Sequence, residues 1–251
     1  MELIATFLLV FARLVAVTMT APLLGSKVVG RLARFAIAFG LALLAIPLVQ
    51  PTTIALDSAD FGSAVLSEFL VGGLLGLGVA ILFSAAQMGG TVIGQMAGMQ
   101  MADQIDPNSG GSSTAVGQLF AIVSLAVFAI IGGPELVLTA CLDTFAQLPL
   151  GTSLETPEVL GLITQLLQQS FVLTLKGVGP AIASLLIATL VIGMVGRAYP
   201  QINMLHVGLN SNLVIMLLTI FLTLGGSIWL FVDDWQQSIE VIQAAIVPVT
   251  S

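Results

Sequence analysis

Five stretches of this chain run for twenty residues or more without one Asp, Glu, Lys or Arg: Phe35–Leu56, Phe69–Ala102, Pro107–Pro134, Gly177–Gly196 and Ala198–Val232. A sixth, Leu3–Pro22, is interrupted only by Arg13. A helix rises about 1.5 Å per residue, so about 20 apolar residues cross the ~30 Å hydrocarbon layer of a bilayer. Each stretch is long enough for one crossing, while the second and the last must also contain loop or interfacial residues. Charge keeps a folded surface in water, and a soluble domain carries roughly 25% charged residues. This chain has 8%, beside 57% hydrophobic residues, over 251 positions. A soluble globule is excluded, and so is a disordered chain, which would not tolerate so much apolar surface. The fold class that remains is an all-α membrane protein.

The simplest count is about six long hydrophobic helices, near residues 3–22, 34–50, 66–88, 115–138, 176–196 and 209–232. Between the fourth and fifth lies a mixed segment, 141–170. Leu160, Ile163, Leu166 and Leu167 repeat there at helical spacing, which predicts a surface or packed amphipathic helix beginning after Pro157. Met1-Glu2 supplies no basic n-region and no small-residue cleavage site follows, so the first run is expected to stay as a helix rather than be cleaved. Lys27, Arg31 and Arg34 follow that helix and place its loop in the cytoplasm by the positive-inside rule, with Arg197 on the same side.

Composition also narrows the chemistry. With 6 Lys+Arg against 13 Asp+Glu, a net charge of −7, the chain is a poor partner for phosphate-bearing nucleic acid. Cys141 is the single cysteine and His206 the single histidine, so neither a disulfide within the chain nor a two-histidine zinc motif is available. No GxSxG elbow or phosphate-binding GxxxxGK[ST] loop occurs. The expectation is a non-enzymatic protein without cofactors. A small-solute secondary transporter remains an alternative, because Arg13 is the one charge well inside a predicted span. Arg13 has two other placements open to it: snorkelling at the membrane surface, or pairing with an acid such as Glu68.

The most unusual stretch is Gln87–Thr114. Met88, Met96, Met99 and Met101, four of the nine methionines, interleave there with Gln87, Gln95, Gln100 and Gln104. Amide side chains in hydrocarbon need partners, so this helix should face protein or water. Flexible, polarizable methionine suits a surface that repacks around varied contacts. The run Asp106-Pro107-Asn108-Ser109-Gly110-Gly111 then reads as turn-forming. It is equally an ordinary exposed loop or a plug in a conduit. Gly72/Gly76, Gly90/Gly94 and Gly94/Gly98 repeat at four, the spacing of close helix approach, within one bundle or between subunits. A second polar island, Arg197–His206, reads as a tight hairpin turn at Pro200.

Three sets of residues in order carry a resemblance. They are Ala12-Arg13 with Ala21-Pro22, Gly94–Met99 running through Asp106-Pro107 to Gly117-Gln118-Leu119-Phe120, and Pro200–Asn203 followed by Val207-Gly208-Leu209. With them the chain resembles the FliR family of flagellar export-gate proteins and their type III secretion counterparts, over nearly its whole length. The resemblance implies a single integral-membrane chain, residues 1–251, made of a FliP-like part (1–170) and a FliQ-like helical hairpin with a tail (171–251). It implies a structural, pore-forming subunit of the bacterial inner membrane and flagellar basal body. Such a subunit assembles with FliP, FliQ and FlhB and passes unfolded flagellar proteins across the membrane. Onto this sequence it maps a pore-plug loop comprising Ile105, Asp106, Pro107, Asn108, Ser109, Gly110, Gly111, Ser112, Ser113 and Thr114. Gln95, Met96, Met99 and Met101 would lie next to the pore, and Pro200, Gln201 and Asn203 would form a cytoplasmic hairpin turn. One departure stands out: the family often has Pro two residues after the glycine at Gly208, where this chain has Asn210.

Overall fold

The computed structural model describes residues 2–22, 30–49, 51, 59–99, 114–152, 156–199, 208, 210–222 and 225. Every regular element among them is helical, as the charge-free pattern predicts. They are α1 (Glu2–Thr20), α2 (Arg31–Ala45, continued by a 3₁₀ turn at Ile46–Leu48), α3 (Ala59–Met96), α4 (Ala115–Ile130), α5 (Gly133–Gln147), α6 (Thr156–Ala198) and α7 (Asn210–Leu222). Among the described residues, four helices are long and apolar enough to cross a bilayer, or five if α4 and α5 count as one bent span.

Three boundaries differ from the sequence expectation. The third helix is 38 residues long rather than 66–88, because nothing between Ala59 and Met96 breaks it. Glycine is tolerated where neighbouring helices pack closely, and the acidic Glu68 has a buried partner. The expected fourth helix, 115–138, is broken: Gly132 takes a left-handed φ of 73° and Pro134 follows in the first turn of α5, so α4 and α5 diverge by 64°. The predicted amphipathic helix and the fifth span are one helix, the 43-residue α6. Pro157 sits in its first turn, where a missing amide donor costs nothing, and Pro180 lies within it. The stretch expected at 209–232 is helical from Asn210 to Leu222, and its remainder lies almost wholly outside the described residues.

The chain divides into two compact units, each with its own core. The first contains α1, α2, α3 as far as Leu82, α5, and α6 as far as Gln168. Here Phe39 of α2 meets Phe7 and Phe11 of α1 edge-on, with ring centroids 5.4 and 6.1 Å apart. Such geometry matches the ring quadrupoles. Gly72 and Gly76 of α3 lie directly against the α1 backbone: a Cβ on either would collide with the Arg13 carbonyl or the Thr20 side chain.

The second unit contains α3 from Phe83, α4 as far as Phe128, α6 from Gln169, and α7. Its core is Ile93, Ala97, Val116, Phe120, Val178, Ala181, Leu185, Met216 and Ile220, with Phe83 packed edge-on against Phe128 at 5.3 Å. Small residues again set the closest approaches. Gly89 meets Thr174 and Val178 of α6, and Gly90 meets the Val116 carbonyl and Phe120. The glycine repeats therefore pack inside the chain at these positions.

Candidate functional site

The polar end of α3 is held at both of its exits. Beyond Met96 the chain turns through Gly98 at φ 85°, with the Gly98 amide donating to the Gln95 carbonyl (3.0 Å) and the Met99 amide to the Gly94 carbonyl (3.0 Å). This pairing satisfies helix-end carbonyls that would otherwise be unbonded, and it needs the left-handed conformation that glycine adopts without strain. On the far side, Thr114 caps α4. Its Oγ1 accepts from the Gly117 amide (3.2 Å) and its carbonyl accepts from the Gln118 amide (3.0 Å). Thr114 is buried, seated on Gly94: a Cβ at Gly94 would lie 2.5 Å from its Oγ1 and 2.8 Å from its Cβ.

The side chains singled out in the sequence divide here. Gln95 is exposed, while Met96 and Met99 are half-buried and pack against the apolar core of the second unit. Met88 is exposed. Of the expected plug loop, Thr114 is the residue described, and Ile105–Ser113 lie outside the described residues, as do Met101 and the turn residues Pro200, Gln201 and Asn203.

Arg13 forms the second polar centre, inside the first unit. It is fully buried at 0% exposure, and its Nε donates to Glu68 Oε2 at 2.6 Å. Its Nη1 donates to Thr144 Oγ1 at 2.9 Å, and its guanidinium carbon sits 4.3 Å over the Phe145 ring. Glu68 uses its other oxygen, Oε1, to accept from the Gly151 amide at 2.8 Å, in a turn where Gly151 has φ 83°. One ion pair thus ties α1, α3, α5 and the α5–α6 turn together. Of the placements open to Arg13, the structure shows the pairing with Glu68. Thr144, Phe145 and Gly151 carry no signal in the sequence, because their link to the pair comes from distant folding.

Helices of this length and apolarity, joined by a buried ion pair and by backbone-to-backbone glycine crossings, define a polytopic helical membrane protein. Residues 4–238 match the family described as bacterial export proteins, family 1, and the chain belongs to that family. It is 26% identical over 235 residues to the flagellar biosynthetic protein FliR of Caulobacter vibrioides, covering 93% of this chain and 94% of that one. It is 29% identical to the FliR of Aquifex aeolicus (89% and 86% covered) and 28% identical to that of Bacillus subtilis (85% and 84%).

Proposed function

We propose that this chain is a structural, pore-forming subunit of a flagellar-type protein export gate in the bacterial inner membrane. Membership of the export family and the likeness to FliR proteins along most of the chain support the flagellar setting. In this reading it assembles with FliP, FliQ and FlhB and passes unfolded flagellar proteins, without a catalytic step. Residues 1–170 correspond to a FliP-like part and 171–251 to a FliQ-like hairpin whose turn, at Pro200, Gln201 and Asn203, faces the cytoplasm. The loop Ile105–Thr114 is the stopper, and Gln95, Met96, Met99 and Met101 border the passage. Adaptable side chains suit a cargo that has no fixed shape to recognise.

The observation that carries the assembly reading is the surface of α6. Large apolar side chains are exposed along it from Leu160 through Phe171 and Leu190 to Val195. At 1.5 Å per residue these cover a helical contour of about 53 Å. Even a span tilted by ~40° keeps only about 26 residues inside a ~30 Å hydrocarbon layer. A bilayer laid over Phe171–Val195 leaves exposed Leu160 and Leu167 beyond it, a surface that neighbouring protein subunits would cover in the assembled gate. Arg13, by contrast, is paired with Glu68 and Thr144 and closed to solvent, which favours a structural role for it over a solute site.

The test is the native mass of the detergent-extracted complex from cells expressing all the gate subunits. The expected result is this chain inside a hetero-oligomer with FliP and FliQ. A chain extracted alone, and competent for solute uptake by itself in vesicles, overturns the reading.

A further inference from the structure

We propose that Arg13 and Glu68 form an insertion latch: α1 settles in hydrocarbon only when α3 is beside it, so the two helices enter the bilayer as one neutral pair. The latch belongs to the membrane helices themselves and is independent of any gate. α1 is long and apolar enough to cross a membrane, yet it carries Arg13 well inside it. An arginine there is among the costliest residues to place in hydrocarbon, and it offsets most of the gain from the ten Leu, Ile, Phe and Val side chains of α1. The one acid within α1 is Glu2, about 16 Å of helix away, and α2 contains no acid. Relief comes from Glu68 of α3, 55 residues further on, which meets Arg13 at 2.6 Å with both side chains buried.

The geometry lets this pair form before the rest of the chain has arrived. Gly72 lies against the Arg13 carbonyl and Gly76 against Thr20, so α1 and α3 run past each other in the same direction, with α2 as the return pass between them. Glu68 and Gly72 are one turn apart on one face of α3. The glycine that lets the α1 backbone close in therefore also brings the carboxylate to the guanidinium. The remaining bonds come from later residues. Thr144 Oγ1 accepts from Arg13 Nη1, and the Gly151 amide donates to Glu68 Oε1, the oxygen that Arg13 leaves unused. The joint thus closes in two stages: α1 and α3 neutralise the charge, then α5 and the turn after it lock the pair in place.

The experiment reads whether α1 lies in hydrocarbon or in water in newly made, full-length chains. Leu8 is exposed on α1, so Leu8→Cys spares the packing, and Cys141→Ala removes the other thiol to give the parent chain. N-ethylmaleimide reacts with a thiolate, which forms in water and not in hydrocarbon. It is added to cells after a brief radioactive pulse, and the labelled fraction is read by gel shift. Glu68→Leu should raise that fraction roughly tenfold, because a lone arginine weighs against insertion by at least the free energy of a decade in population. Arg13→Leu/Glu68→Leu should return it to within about twofold of the parent, since no unneutralised charge then remains inside either span. Thr144→Val breaks only a second-stage bond and should leave the fraction at the parent level. A Glu68→Leu chain as shielded as the parent overturns the proposal, as does a double variant labelled as heavily as the single. Thr144→Val labelled like Glu68→Leu also overturns it, because the signal would then report failed folding rather than failed insertion. Labelling directly after synthesis precedes degradation, so a variant that never folds still gives its answer.

Discussion

In the first unit the helices converge on a charge, and in the second they meet where side chains are missing. Arg13 and Glu68 draw α1, α3, α5 and the Gly151 turn onto one buried ion pair. Gly89, Gly90, Gly94 and Gly117 instead let α3, α4 and α6 approach until van der Waals contact and hydroxyl bonds hold them. Lipid tails are as apolar as leucine, so burying greasy surface does little to drive helices together in a membrane. Each unit therefore needs a polar or a steric reason to prefer one arrangement. A charge joint is directional and intolerant of losing either partner, whereas a glycine joint is a fit of surfaces, sensitive to added volume.

The largest expected effect comes from breaking the charge joint on one side. Glu68→Leu leaves Arg13 buried without its carboxylate, at a cost of about 3–5 kcal/mol. The chain should fail to accumulate in the membrane, read by immunoblot and by thermal melting in detergent. Arg13→Met/Glu68→Met, which leaves no buried charge, should recover most of that loss. A double variant as poor as the single would mean that the pair holds the unit by more than mutual neutralisation.

Next in size is Gly76→Ala, a glycine contact inside the charge-held unit. Its methyl would strike the Thr20 side chain and come within 2.9 Å of the Ala21 amide nitrogen, for an expected ~1–3 kcal/mol loss in detergent-denaturation stability. An unchanged midpoint would show that the ion pair alone fixes α1 on α3. The smallest effect belongs to the second unit. The Ser184 and Thr219 hydroxyls are hydrogen-bonded 3.0 Å apart between α6 and α7, and Thr219→Val should cost about 0.6 kcal/mol by the same measurement.

What could be read from the chain follows the range of each signal. The lack of charge over twenty residues is local, and it placed apolar helices correctly along the described chain. The break at Ile131-Gly132-Gly133-Pro134 was also written locally, in turn-forming residues, yet hydrophobicity runs straight through it and masked it. The full lengths of α3 and α6 were not legible, because α3 extends back through Asp60 and on through the Gly- and Gln-rich run to Met96, and α6 runs through Lys176, each of which reads locally as a boundary. Arg13 could be matched to Glu68 because few acids were on offer. Thr144 lies 131 residues from Arg13, and Gly151 lies 83 from Glu68, distances over which no spacing rule operates. For the Gln87–Thr114 stretch, composition marked the polar helix end but not the closing contact of Thr114 on Gly94, which depends on how two helices cross.

The exposed apolar side chains of α6 also bear on the life of a single copy outside the proposed gate. There, Leu160 and Leu167, beyond a bilayer laid over Phe171–Val195, would offer membrane chaperones and proteases a sticky patch. A copy made in excess of the proposed partner subunits should therefore be short-lived.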